Sequence, residues 1–150
     1  MSDIQFDFSV GEVRLAYKPC LPTVTLRDTA DTKLFVRSVF DPDTLQLEES
    51  AKALFLNNQF QLLGIVSLGT GSLLNTVVSS RKLFQAGLLL NAYAFVLVHN
   101  HPSGDPSPSK IDDNLTSNIS TLAKLHEMKF LDHIIITVGN YYSYMESGKI

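Results

Sequence analysis

The run Ala94-Phe95-Val96-Leu97-Val98 constrains this chain more than any other feature. It lacks polar alternation and is rich in β-type residues, so it reads as a strand buried on both faces and covered by helices. A loop dense in Pro, Gly and Ser follows at residues 100–108. Ser109 then starts a long amphipathic helix, with Ile111, Leu115, Ile119, Leu122 and Leu125 at 4-4-3-3 spacing. Strand, loop and covering helix in this order point to an α/β architecture.

The rest of the chain fits that class. Val13 to Tyr17 alternates as a half-buried strand does, and Pro19 and Pro22 force a loop after it. Asp28-Thr29-Ala30-Asp31 is rich in helix-start residues, and Leu34, Phe35, Val36, Val39 and Phe40 follow at mostly helical spacing. This predicts a helix near 29–40, ended by Asp41-Pro42-Asp43. Ala51 to Leu56 and Phe60 to Leu68 read as a hairpin about Asn57-Asn58-Gln59. Ser79 or Ser80 caps a further helix carrying Leu83, Phe84, Gly87, Leu88 and Leu90. Leu131 to Val138 and Tyr141 to Met145 read as two last strands joined at Gly139-Asn140. Hairpins occur beside crossovers, so the expected fold is one α/β domain over residues 13–150, a mixed sheet flanked by helices. Residues 1–12 are expected to form a loose N-terminal arm.

Composition narrows the function. A chain of 150 residues, 45% apolar and 18% charged, can bury a real core and is no solvating tail. Its net charge of −3 gives no overall basic surplus, which disfavours direct DNA binding. One cysteine, Cys20, excludes an intramolecular disulfide and a cysteine-rich zinc finger, and it reads as a small, partly buried apolar residue. No basic stretch followed by an apolar run marks the N-terminus, and Ala86 to Val98 is short and broken by Gly87 and Asn91. A cytoplasmic protein with no membrane partner is the expectation.

Chemistry concentrates in His99-Asn100-His101-Pro102-Ser103-Gly104-Asp105-Pro106-Ser107-Pro108-Ser109-Lys110-Ile111-Asp112, at the end of the buried strand. In an extended chain, residues i and i+2 share a side, so His99 and His101 project together. Asp112 falls in the first turn of the next helix, which the loop can fold back over the strand end. Two neutral imidazoles and one carboxylate make a catalytic zinc set with a fourth position for water. Asp112 has a competing structural role, because Ser109 and Asp112 also form an S-x-x-D helix start. Asp105 and Asp113 are rival carboxylates, although Asp105 better suits the Gly-Asp-Pro turn. His126 lies in the last helical turn, and His133 opens a strand as a structural residue. Gly69-Thr70-Gly71-Ser72 lacks the GK[ST] of a phosphate loop and reads as a turn.

H-x-H-P, six residues, S, two residues, D is the JAMM signature of JAB/MPN-type zinc metalloproteases, and His99, His101, Pro102, Ser109 and Asp112 complete it here. The longer string HNHPSGDPSPS resembles the RadC family of bacterial JAB-domain proteins, as do Thr76-Val77-Val78, Leu131-Asp132-His133 and Tyr142-Ser143. The resemblance covers about residues 13–150 and implies a JAB/MPN-like fold of cytidine-deaminase-like architecture. It also implies an upstream glutamate. Setting Leu54 to Asn57 on the family's L-x-L-[ND] strand end selects Glu49, with Glu48 adjacent and facing the other way. Full-length RadC proteins add an N-terminal helix-hairpin-helix region of DNA-binding type, so the expectation is a stand-alone domain whose DNA-repair label lacks that support. Ser50 and Ala51 stand where many relatives carry a large aromatic.

What the resemblance implies is a zinc hydrolase of peptide or isopeptide bonds. His99, His101 and Asp112 would hold Zn²⁺, Glu49 would act as general base, and Ser109 would donate to the oxyanion. The partner would be a protein or peptide substrate. The alternatives are a non-catalytic JAB-type scaffold and a nucleic-acid-associated module. A metal-dependent nuclease would favour several carboxylates on Mg²⁺ over two histidines.

Overall fold

The computed structural model describes residues 24–26, 28–71 and 78–150. The expected arm at 1–12, the strand at Val13 to Tyr17 and Cys20 lie outside the described residues. Among those described, five strands and three helices are interspersed along the chain. Helix α1 is Thr29–Ser38, started by Asp28, whose carboxylate accepts from Asp31 N–H at 2.8 Å. Strand β1 is Glu49–Leu56 and β2 is Leu62–Gly71. Helix α2, Ser80–Leu89, is capped by Ser79. Strand β3, Ala94–Asn100, has every residue buried, as its apolar run requires. Helix α3 is Lys110–Leu125, β4 is Lys129–Ile136 and β5 is Tyr141–Ser143.

The sheet order is β2-β1-β3-β4-β5. Only the β3–β4 pair is parallel, because α3 carries the chain across between them; the other pairs are antiparallel. The strand pleat sends alternate residues to opposite faces. Ala53, Phe55, Phe95 and Leu97 pack with Leu83 and Phe84 of α2 and Ile119 and Ala123 of α3. Leu54, Leu56, Val96, Val98, Ile134 and Ile136 pack with Val36 of α1 and Phe40 beyond it. The sheet is therefore the middle of three layers, and β3 is its central strand. Helix α2 seats closely because Gly87 has no side chain: a Cβ there would stand 2.7 Å from Met128 Sδ and 3.0 Å from Phe55 Cε1. Among the described residues, no helix is long and apolar enough to cross a membrane.

Several strand ends differ from the pattern-based expectation, and side chains explain most of them. Asn57 Oδ1 accepts from both Gln59 N–H and Gln61 N–H at 2.9 Å, and Phe60 takes φ 59°. That turn holds residues to 61, so β2 starts at Leu62 rather than Phe60 and continues to Gly71. Strand β4 begins at Lys129 rather than Leu131, since Glu127 in the left-handed region (φ 55°) turns the chain sharply out of α3. It ends at Ile136 because Thr137 and Asn140 close the turn through Thr137 N–H to Asn140 C=O at 2.9 Å. Strand β5 stops at Ser143, where a turn begins, not at Met145. His133 consequently sits in the middle of β4 rather than opening it, and it is fully buried. His126 forms the C-cap of α3, with its ring stacked on Phe84 at 4.7 Å.

Candidate metal centre

Strand β3 runs on to Asn100, two residues past its apolar core, so His99 is still strand and lies 1% exposed at the sheet's end. His101 follows on the same side. Ala51 of β1 pairs with His99, and continuing that antiparallel register by two places brings Glu49 level with His101. Glu49 and the two histidines thus meet on the α3 face. Their ligand atoms lie within 4.8 Å of one another, a cluster able to hold a metal ion. Glu48 is exposed and takes no part through its side chain.

Asp112 completes the group from the opposite layer. Its Oδ1 lies 3.2 Å from His99 Nε2 and its Oδ2 lies 3.6 Å from His101 Nε2. Glu49 Oε1 is 3.9 Å from His99 Nε2. The capping box anticipated at the start of α3 also forms: Ser109 Oγ accepts from Asp112 N–H at 3.2 Å, and Asp112 Oδ2 accepts from Ser109 N–H at 2.7 Å. Ser109 Oγ–H further donates to Asp112 Oδ2 at 2.6 Å. Structural and site roles coincide, because the cap is what aims the free Oδ1 at the histidines. Asp113 turns away to Lys149 and Tyr144. Asp105 shapes its loop by accepting from Ser107 N–H at 2.9 Å, helped by Gly104 at φ 85°.

The donor set can be tested for its fit to a cation. His101 Nδ1 lies 2.9 Å from the Asp105 carbonyl, which can only accept, so Nδ1 carries a hydrogen and Nε2 is the nitrogen turned to the cluster. His99 Nδ1 is likewise engaged, with His133 Nε2 at 2.8 Å. The two Nε2 atoms face each other at 3.0 Å with two carboxylates around them. Such a group needs a positive charge at its centre, supplied by a proton or a metal ion. The electrostatics agree. The hydrogen bond to Asp112 raises the His101 pKa. Burial pushes the Asp112 carboxyl up, but hydrogen bonds from His101, His99 and Ser109 outweigh it and hold it well below the usual carboxylate range. Burial raises the Glu49 pKa, since its partners are too distant to compensate.

Two buried residues to which the sequence assigned no role in the site support the cluster. Asn100 is fully buried on the α1 face. Its Nδ2 donates to the carbonyls of Leu45 and Glu48 at 2.8 Å, and its Oδ1 accepts from Ser50 N–H at 2.8 Å. It therefore grips the backbone on both sides of Glu49, which is why β1 starts at Glu49 rather than Ala51. His133 is the other. Its signal was visible as a polar residue inside an apolar strand, but its neighbours depend on β3–β4 register.

Comparison with known proteins agrees with this geometry. Residues 27–149 match the family model of the RadC-like JAB domain. A UPF0758 protein of Histophilus somni (strain 2336) is 36% identical over 126 residues, covering 77% of this chain and 57% of that protein. A UPF0758 protein of Flavobacterium johnsoniae is 40% identical over 95 residues, 63% of this chain and 42% of its own. UPF0758 protein YkfG of Escherichia coli (strain K12) is 37% identical over 100 residues, 67% and 63% respectively. The chain spans about half the length of the curated relatives it matches. With the match running through every described strand and helix and through the histidine cluster itself, the chain belongs to the RadC-like JAB domain family.

Proposed function

We propose that this protein is a zinc-dependent hydrolase of peptide or isopeptide bonds, acting on a protein or peptide substrate. The observation that carries the reading is the convergence of two imidazole Nε2 atoms, 3.0 Å apart, with carboxylates whose surroundings drive their pKa values in opposite directions. Divergent pKa values assign roles. Asp112, held ionised and locked by its cap, is the third ligand beside His99 and His101. Glu49, whose carboxyl takes up a proton readily, is the general base. Imidazole-rich sets of this kind suit zinc better than the hard cations, which prefer oxygen.

Zinc bound there would lower the pKa of a water and polarise a carbonyl. Glu49 takes the proton of the attacking water and delivers it to the leaving amine nitrogen. Ser109 would donate its hydroxyl hydrogen to the developing oxyanion. Asn100 keeps Glu49 at the strand end throughout.

The test is metal content followed by turnover. Stripped protein reloaded with Zn²⁺ should hold one equivalent, and His99→Ala or Asp112→Ala should lose most of it. Glu49→Gln should keep the zinc and lose cleavage of a peptide and isopeptide substrate panel. Full zinc in the His99→Ala protein would rule out the ligand set. Zinc retained by all variants' parent with no cleavage of either bond type would favour the scaffold reading.

A further inference from the structure

We propose that His133 is a positioning residue for the metal centre: with Thr116 it locks His99 in the tautomer that presents Nε2 as a ligand. The inference rests on the metal site proposed above. The backbone carbonyl of Asp112 can only accept, and Thr116 Oγ1 lies 2.7 Å from it, so the threonine hydrogen is used there. Thr116 Oγ1 also lies 2.6 Å from His133 Nδ1 and has only acceptor capacity left. His133 Nδ1 must therefore carry a hydrogen. The ring is fully buried and its hydrogen-bond partners include no carboxylate, so Nε2 is its acceptor nitrogen. His99 Nδ1, 2.8 Å away, donates to it. His99 Nε2 is therefore the nitrogen that faces Asp112 Oδ1 and His101 Nε2, available to a metal ion or a proton.

The chain of bonds closes on itself. It leaves the backbone of Asp112, passes through Thr116 and His133 to His99, and ends with His99 Nε2 facing the Asp112 side chain. Tyr144 stacks flat on His133 with ring centroids 4.9 Å apart and planes 11° apart, which fixes the plane of the relay. His101 is oriented by a loop carbonyl alone, whereas His99 is oriented by α3 and β4 together.

Two isosteres separate this role from packing. Glutamine at 133 reaches the place of Nε2 and can offer His99 an amide oxygen. Asparagine reaches only the place of Nδ1 and cannot. Both lose the stack on Tyr144 equally. Zn²⁺ affinity, measured by competition with a chromophoric chelator, should fall about 10- to 100-fold in His133→Asn and stay within a few-fold of wild type in His133→Gln. Thr116→Val, which frees the His133 tautomer and keeps the side-chain volume, should weaken zinc in the same direction and serves if His133→Asn does not fold. Nitrogen-15 NMR of the metal-free protein should show His99 protonated at Nδ1. Equal losses in the two His133 variants, unchanged affinity in Thr116→Val, or a His99 Nδ1 that carries no hydrogen overturns the proposal while the zinc reading stands. A wild-type chain that takes up no zinc overturns both.

Discussion

Glu49 and Asp112 approach the same imidazoles, and their surroundings separate them. Asp112 is covered by donors at the start of α3, whereas burial acts on Glu49 with little to offset it. The raised Glu49 pKa makes stability depend on pH with a definite sign. The folded protein binds this proton more tightly than the unfolded chain does. The contribution is fully present below the ordinary glutamate pKa and is lost as pH rises through the raised one. Glu49→Gln, neutral throughout, should therefore raise the melting temperature of the metal-free protein at pH 7. The gain should vanish toward pH 4 as Glu49 itself takes up its proton. A variant equally stabilised in acid would mean that its effect is packing rather than charge.

At the scale of elements, the position of Glu49 is a matter of where β1 begins. Asn100, at the end of β3, fastens the carbonyl of Glu48 and the N–H of Ser50. Replacing it with alanine strands two carbonyls and an N–H in a partly buried place. A fully buried group left without a partner costs about 1–3 kcal/mol, and water can reach these three in part, so Asn100→Ala should lose roughly 2–4 kcal/mol in denaturant unfolding. The first residues of β1 should then lose amide-exchange protection before the rest of the strand, whereas uniform loss along β1 would show a global effect only. Helix α3 shows the same economy, because one capping box both starts the helix and aims a carboxylate.

For the whole molecule, the central strand links the site to the core. Phe95, fully buried, stacks on Phe130 at 4.9 Å and meets Phe84 edge-on at 6.1 Å. Phe95→Ala should cost about 3–5 kcal/mol, the transfer term plus an unfilled cavity. Since Phe95 lies at the end of β3 opposite the histidines, zinc stoichiometry in the fraction that folds should remain at the wild-type value. Loss of zinc in folded Phe95→Ala protein would show that the site depends on core packing more widely than on its own strand end.

The residues themselves determined the class, the buried β3, the helix beginning at Ser109 and the pairing of His99 with His101, because each follows from local rules of period, capping and pleat. The choice of Glu49 over Glu48 was also legible, through the strand's alternation and the family's spacing. Strand ends were less so: Asn57, Thr137 and Asn140 set them through side-chain bonds that a hydrophobic pattern does not register. Asn100 read as loop and His133 as a structural residue opening a strand, because neither role exists until distant strands are in register. Val98 meets Ile134 across the parallel pair, and this offset brings His133 beside His99. That register is decided by how α3 packs its buried face on the sheet, so tertiary structure alone could turn two separated histidines into a ligand and the group that orients it.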